Sequence, residues 1–107
     1  MMFVPARSRL AGTVFVQKVS NAGAPEIVVE IGSAGTRKRD ETIKRRLYER
    51  SAVSEYWVID PDLEVVRVYS NQDGQFGRAR ELSAEAGDVL TTPYLDGLEL
   101  PLRRIFE

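Results

Sequence analysis

The stretch APEIVVEIGSAGTRKRDETIKRRLYERSAVSEYWVID, residues 24–60, decides the fold. It holds two short apolar segments, 26–31 and 54–59, which are rich in β-branched or aromatic residues and typical of buried strands. Between them, the charged segment 37–51 predicts a helix, with Thr36 as its N-cap after a flexible break at 32–36. A strand, a helix and a second strand in this order are typical of α/β domains.

The flanking segments extend this plan. Residues 1–12 are expected to be irregular, and 13–17 form either a short strand or the end of a loop. After a turn at 60–62, strands are predicted at 63–69 and 75–82, because the sequence Asn-Gln-Asp-Gly at 71–74 is a strong hairpin signal. A short strand is predicted at 88–90, and the apolar tail 98–106 is expected to pack on the sheet and end in a helical turn. The prediction is one α/β domain over residues 1–107, with one main helix on a mixed sheet.

The composition limits the chemistry that this chain can perform. It has 107 residues, no Cys and no His, which excludes disulfides, thiolate sites, imidazole catalysis and most zinc sites. Any metal must therefore be held by oxygen atoms, which favours Mg²⁺ or a similar hard ion. A net charge of -1 argues against a histone-like nucleic-acid binder. It does not exclude a nuclease, because a nuclease can have an acidic metal site and a locally basic DNA groove. No signal peptide and no run of about 20 apolar residues is visible, so we expect a cytoplasmic protein without a membrane span.

Glu30 is the first candidate for a functional residue. Side chains alternate along a strand, so Val28 and Glu30 share one face while Ile27, Val29 and Ile31 share the other. A carboxylate in such an apolar strand is costly unless it is solvated, paired or bound to a metal. A glutamate at a strand end, in solvent or in a salt bridge, is the more ordinary reading, and a metal ligand is the functional one.

Asp40 and Lys44 are the second candidates. They are four residues apart and therefore lie on one side of the predicted helix, where a surface ion pair is the ordinary reading. At about 100° per residue, both fall among Ile43, Leu47 and Tyr48, the residues expected to face the sheet. The same geometry puts Arg45 and Glu49 on the opposite side of the helix. A charged pair that points inward is expected to line a polar cleft beside Glu30.

These residue types suit phosphodiester cleavage. The reaction needs carboxylates that hold a metal ion, and it benefits from a cation near the developing phosphate charge. Glu30 could supply the carboxylate and Lys44 the cation. A metal site of this kind normally requires a second carboxylate on a neighbouring strand. The basic residues of the helix form either a solvated face or a surface for phosphates; they are Arg37, Lys38, Arg39, Lys44, Arg45, Arg46 and Arg50.

Several spaced blocks resemble the Uma-two family of restriction-endonuclease-like proteins. The residues APEIVVEIGS at 24–33, TRKRD at 36–40, Lys44 and LY at 47–48 are similar to its signature A-P-D-L-V-V-E-V-L-S-P-S-T-R-x-x-D-x-x-x-K-x-x-x-Y. The blocks EYWVIDP at 55–61 and PYLDGLELPL at 93–102 continue the match. The resemblance implies a PD-(D/E)XK nuclease fold, with DNA as a substrate and Mg²⁺ or Mn²⁺ as the cofactor.

The resemblance also assigns roles to individual residues. Glu30 corresponds to the acidic metal ligand of the (D/E)XK strand. Lys44 corresponds to the family's lysine, which stands on the following helix in this family. Asp40 matches the family's helix aspartate, an orienting partner of that lysine. These three residues are the predicted catalytic residues, with Glu30 as the metal ligand.

The chain departs from the family at its beginning. Family members carry an upstream strand reading P-D-L-L-F-V, and residues 1–4 line up with the last four positions, so its metal-binding aspartate would fall before Met1. Glu26 is not a replacement, and Asp60 or Asp62 is the only internal substitute we can suggest. We therefore expect the C-terminal part of the fold only, with impaired metal-dependent DNA cleavage. The alternative is a catalytically dead module that binds DNA or forms oligomers.

A shortened fold also predicts self-association. The absence of the upstream strand would leave an unpaired sheet edge and an uncovered apolar face, both of which attract another chain. A symmetric homodimer would cover both, because the same patch meets itself across a two-fold axis. The interface is expected at residues 27–31 or 56–59.

Overall fold

The computed structural model describes residues 12–19, 25–32 and 34–106, with the backbone alone described for 12–19, 25 and 34–41. The elements, in chain order, are β1 Gly12–Val19, β2 Pro25–Ile31, α1 Ala34–Arg50, β3 Glu55–Asp60, β4 Val65–Gln72, β5 Gln75–Phe76, β6 Arg80–Ser83, β7 Val89–Leu90, β8 Leu100–Pro101 and α2 Leu102–Ile105. Neither described helix is both long enough and apolar enough to cross a membrane.

The main sheet is mixed. Its order is β1-β2-β3-β4-β5, with β6 also paired to β4, while β7 and β8 form a separate two-stranded sheet. Strands β2 and β3 are parallel, as expected for two strands joined by helix α1, and the other neighbours are antiparallel. The prediction of an α/β fold, with one main helix on a mixed sheet, is confirmed.

Most predicted elements lie within a few residues of their observed bounds. Segment 13–17 belongs to a strand, β1, and the hairpin signal is confirmed by the positive φ angles of Asp73 (56°) and Gly74 (86°). Helix α1 begins at Ala34, so Thr36 lies inside it and the predicted N-cap is wrong. The single strand predicted at 75–82 is two strands, β5 and β6.

One face of the main sheet, the tail face, carries the larger core. Ile27, Val29, Trp57 and Ile59 point to this face and pack with buried residues of the C-terminal segment. Leu102 and Ile105 of α2 are 0% and 7% exposed, so the prediction that an apolar tail packs on the sheet is confirmed. Full burial of an aliphatic side chain stabilises the fold by about 1.5–3 kcal/mol, so this face contributes much of the stability.

A buried carboxylate ties the C-terminal segment to the tail face. Glu55 is 3% exposed, and its Oε1 accepts hydrogen bonds from Trp57 Nε1 and Thr92 Oγ1, both at 2.8 Å. Thr92 Oγ1 in turn accepts a bond from the Tyr94 backbone N–H. Because a buried carboxylate is costly without donors, this arrangement fixes the segment that follows β7 against the sheet.

The opposite face, the helix face, is covered by α1 and is largely aromatic. Tyr56 lies 5.1 Å from Tyr48 and 5.6 Å from Tyr69, centroid to centroid. The buried cluster of this face also contains Val28, Val53 and Val58. Aromatic pairs at such distances contribute about 0.5–1.5 kcal/mol beyond the area that they bury. The ring of Tyr48 is therefore one of the anchors that hold α1 on the sheet.

The orientation of α1 differs from the prediction. Ile43 and Leu47 were expected to face the sheet, yet they are 59% and 47% exposed. Arg45 and Glu49, predicted on the outer side, are half-buried: the Arg45 guanidinium lies 5.6 Å from the Tyr69 ring, and Glu49 Oε2 accepts a bond from Phe76 N at 2.6 Å. The helix is turned because the helix face offers aromatic rings and polar partners.

The surfaces predicted for a homodimer are not available. Strand β2 is flanked by β1 and β3, and β3 by β2 and β4, so neither strand is an edge. Residues 27–31 and 56–59 are all buried. The proposed interface at these strands is therefore wrong, whereas self-association itself stays a prediction.

Replacing Leu102 by Ala is expected to lower the free energy of unfolding by about 2–5 kcal/mol, because it leaves a cavity in the tail-face core. Leu63→Ala is the matched control at a position that is 64% exposed, and it should change this free energy by no more than about 0.5 kcal/mol. Urea unfolding followed by tryptophan fluorescence measures both. Equal losses in the two variants would contradict the burial assigned to Leu102.

Candidate functional site

Glu30 lies on the helix face near the end of β2. Its position follows from strand alternation, since Val28 on the same strand belongs to the buried cluster of that face. The residue is 8% exposed, so its carboxylate is largely removed from water. Such a group requires close donors or a counterion, and helix α1 lies directly over it.

Two side chains of α1 converge on one oxygen of this carboxylate. Lys44 Nζ lies 3.0 Å from Glu30 Oε2, and the Tyr48 hydroxyl donates to the same Oε2 at 3.2 Å. Lys44 and Tyr48 are four residues apart and therefore share one side of the helix. The predicted approach of Lys44 to Glu30 is confirmed, while the catalytic and metal-binding roles of the two residues stay predictions.

The two donors differ in their surroundings. The Lys44 side chain is 31% exposed, against 10% for the Glu30 side chain, so Lys44 is the more accessible of the two to solvent. The Tyr48 ring packs on Tyr56, and the Tyr48 carbonyl accepts a hydrogen bond from Val53 N at 3.2 Å. Tyr48 is consequently held at both its ring and its backbone.

Neither strand beside β2 places a second carboxylate opposite Glu30. In the sheet register, Glu30 pairs with Thr13 on β1 and with Val58 on β3. The whole of β1, GTVFVQKV, contains no acidic residue. Within the part of the chain that the structure describes, no group of three or more acidic side chains is placed to hold a metal ion.

Of the two internal substitutes, one caps a turn and the other is exposed. Asp60 lies two residues beyond Val58, on the same face as Glu30, but its Oδ1 accepts bonds from the backbone N–H groups of Asp62 and Leu63 and so caps the turn after β3. Asp62 is exposed. Glu26 Oε2 accepts a bond from Ser54 Oγ at 2.8 Å, consistent with the expectation that it does not replace the family aspartate.

Asp40 lies within α1, one turn before Lys44, but its side chain is outside the described part of the structure. Residues 1–4, which line up with the family's upstream strand, are also outside the described residues. Tyr48 was identified as a sheet-facing residue, but its role as a donor to Glu30 was missed. Its position four residues after Lys44 is the sequence signal that could have revealed that role.

Glu30 satisfies only part of what a metal site needs. Its carboxylate oxygens are the hard donors that Mg²⁺ prefers, and the chain has no His or Cys to favour another ion. However, its Oε2 is already engaged by Lys44 and Tyr48. The described residues thus fit one ligand of a hard ion and do not complete a site.

Comparisons with known proteins bear on the family and on the fold. A family model, Uma2 (Uma-two), described as "Putative restriction endonuclease", matches residues 2–103. A crystal structure of "a putative nuclease belonging to DUF820" from Anabaena variabilis ATCC 29413 is similar, with a TM-score of 0.63 and 20% identity. The match covers 83% of this chain and 52% of that one, so the chain spans about half the length of that structure. No curated protein matches. At this identity the structural likeness supports the fold alone.

A double-mutant cycle between Glu30→Gln and Lys44→Met should give a coupling free energy of about 1 kcal/mol or more, because each single change strands a partly buried partner. Urea unfolding of the four proteins measures it. Glu26→Gln is the matched control on the same strand, and its effect should add to that of Lys44→Met. If the effects of Glu30→Gln and Lys44→Met on the free energy of unfolding are additive, the contact between Lys44 and Glu30 does not stabilise the fold.

Proposed function

This chain belongs to the Uma-two family of restriction-endonuclease-like proteins, and from that premise we propose that it carries a metal-dependent phosphodiesterase site for DNA that is impaired in this chain alone. The observation that carries the proposal is the ion pair of 3.0 Å between Lys44 Nζ and Glu30 Oε2 on the helix face. It combines an acidic oxygen donor with a partly exposed cation, the two kinds of group that phosphodiester hydrolysis uses.

In this proposal Glu30 would hold Mg²⁺ or Mn²⁺. A divalent ion of this kind, when bound, supplies Lewis acidity toward the phosphodiester. Lys44 stabilises negative charge on the phosphate, because its side chain is 31% exposed and so accessible to a ligand. Asp40, one turn earlier on α1, orients Lys44, a role that rests on the family resemblance.

Impairment follows from the neighbours of Glu30. The carboxylate of Glu30 faces the Lys44 ammonium at 3.0 Å, and this positive charge offsets part of the attraction of Glu30 for a divalent ion. Thr13 and Val58, at the two register positions beside Glu30, supply no further negative charge. We therefore propose that tight metal binding requires one more carboxylate next to Glu30.

DNA is the proposed substrate because basic side chains recur along α1. Arg46 and Arg50 are exposed, and Arg45 is half-buried over Tyr69. Cations on one helix suit the phosphate backbone, which dominates nucleic-acid affinity. A cytoplasmic location belongs to the same proposal.

The second candidate is a DNA-binding module without catalysis. The observation that favours it is the lack of acidic residues in β1, which leaves no carboxylate at the positions next to Glu30 on that strand. Phosphate binding by Lys44 and the arginines of α1 needs no metal ion, whereas hydrolysis does. Metal-dependent cleavage discriminates between the two candidates.

We expect the purified chain to cleave supercoiled plasmid weakly or not at all in Mg²⁺ or Mn²⁺. Thr13→Asp should raise Mn²⁺ affinity and cleavage by about tenfold or more, which corresponds to about 1.4 kcal/mol, because it puts a carboxylate at the register position opposite Glu30. Gel assays and isothermal titration calorimetry measure the two effects.

Thr13→Asn is the matched control, because it resembles Asp in size but adds no charge, and it should behave as the original chain does. Strong cleavage by the original chain that disappears in Glu30→Ala would refute the proposed impairment. If Thr13→Asp folds but binds Mn²⁺ no better than Thr13→Asn does, the requirement for a carboxylate at this position is wrong.

Self-association remains part of the proposal, now at a different surface. The exposed residues Ile43 and Leu47 lie four residues apart on α1 and form an apolar pair, and we propose this pair as the contact between copies. Sedimentation equilibrium at micromolar concentration should give the mass of a dimer, and Leu47→Lys should shift it toward the monomer. A monomer mass for the unchanged chain, with cooperative thermal unfolding, would end this part of the proposal.

A further inference from the structure

We propose that Tyr48 is a positioning residue that holds Glu30 in place while Lys44 moves from this carboxylate to a phosphate of DNA. The inference rests on the proposed function, in which Lys44 meets phosphate. It gives Tyr48 a role at the site, and it explains how Lys44 can contact first the Glu30 carboxylate and then a phosphate.

The first step is the shared acceptor. Both donors contact Oε2 of Glu30, Lys44 Nζ at 3.0 Å and the Tyr48 hydroxyl at 3.2 Å. Two donors on one oxygen compete for its electron density, so each bond is weaker than it would be alone. The Tyr48 hydroxyl therefore loosens the contact that Lys44 makes with the carboxylate.

The second step is the difference in freedom between the donors. The Tyr48 ring is fixed against Tyr56 at 5.1 Å, and its carbonyl is bonded to Val53 N. Lys44 ends in a compact ammonium on a flexible four-carbon stem, and its side chain is 31% exposed. Of the two donors, Lys44 is the one that can turn toward a ligand.

The third step is the charge left behind. When Lys44 turns away, the carboxylate of Glu30 stays largely buried, at 8% exposure, and an approaching phosphate repels it. A neutral hydroxyl that keeps donating to Oε2 lowers this cost without binding phosphate in place of Lys44. Without the hydroxyl, Glu30 depends more on Lys44, which is then retained in the ion pair.

Tyr48→Phe separates this role from simple packing, because it keeps the ring on Tyr56 and removes only the hydroxyl. Binding of a fluorescent 20-base-pair duplex is measured by anisotropy in EDTA over a range of salt concentrations. Lys44→Met should weaken binding and reduce the slope of log K against log salt by about one, the loss of one phosphate contact.

Tyr48→Phe should weaken binding about three- to tenfold, as expected for one charge-assisted hydrogen bond. It should also reduce the slope of log K against log salt, as Lys44→Met does, although it removes no charge. The double variant should resemble Lys44→Met alone. Tyr94→Phe, a hydroxyl removed from a tyrosine packed on the tail face, is the control and should leave binding and slope unchanged.

A Tyr48→Phe variant that binds with the original affinity and slope overturns the inference, as does a double variant in which the two losses add. If the unchanged chain does not bind the duplex, the proposal that DNA is the substrate is wrong, and a second experiment then tests the role of Tyr48.

This second experiment records ¹⁵N NMR spectra of the Lys44 ammonium, whose signal is assigned because it is missing in Lys44→Met. Hydrogen exchange with water should slow severalfold in Tyr48→Phe, and an unchanged or faster rate overturns the inference.

Discussion

The buried carboxylate of Glu30 is the constraint on which the arrangement of α1 depends. A charge in this position must be met by donors, and β1 and β3 place Thr13 and Val58 at its register positions. The helix above the sheet supplies the donors by presenting Lys44 and Tyr48. Once that side of the helix faces the sheet, other residues must face solvent, and the apolar ones among them become exposed.

This constraint explains what the sequence could and could not predict. Strand β2, helix α1 and strand β3 follow from apolar segments and a charged helical segment, which are local properties. The rotation of α1 is not local: hydrophobic periodicity favours Ile43 and Leu47 as the inward residues, although they are 59% and 47% exposed. The competing terms, the need of Glu30 for donors and the ring contacts of Tyr48, depend on partners far away in the chain.

The two faces of the sheet separate the aliphatic core from the candidate site. The tail face is closed by α2 and by the Glu55–Thr92 contact, and its core is aliphatic apart from Trp57. The helix face combines aromatic rings with an ion pair. The candidate site could be located from the sequence, because alternation along β2 separates Glu30 from the aliphatic core. Its second donor, Tyr48, could not, because a tyrosine at a sheet-facing position is equally well explained by packing.

The register of β1 decides what the site can do with one carboxylate. If further acidic groups stood beside Glu30, the site would have a net negative charge, and Lys44 would reduce that charge without cancelling it. In the described residues, however, the charge of Lys44 opposes that of Glu30 at 3.0 Å, and Thr13 stands at the opposite register position. Under the proposed function, this ammonium weakens the pull of Glu30 on a divalent cation, yet it can turn toward an anion if another donor keeps the carboxylate satisfied. The contact proposed to weaken metal binding would thus leave phosphate binding intact, because the first depends on the sum of the charges and the second on the mobility of one of them.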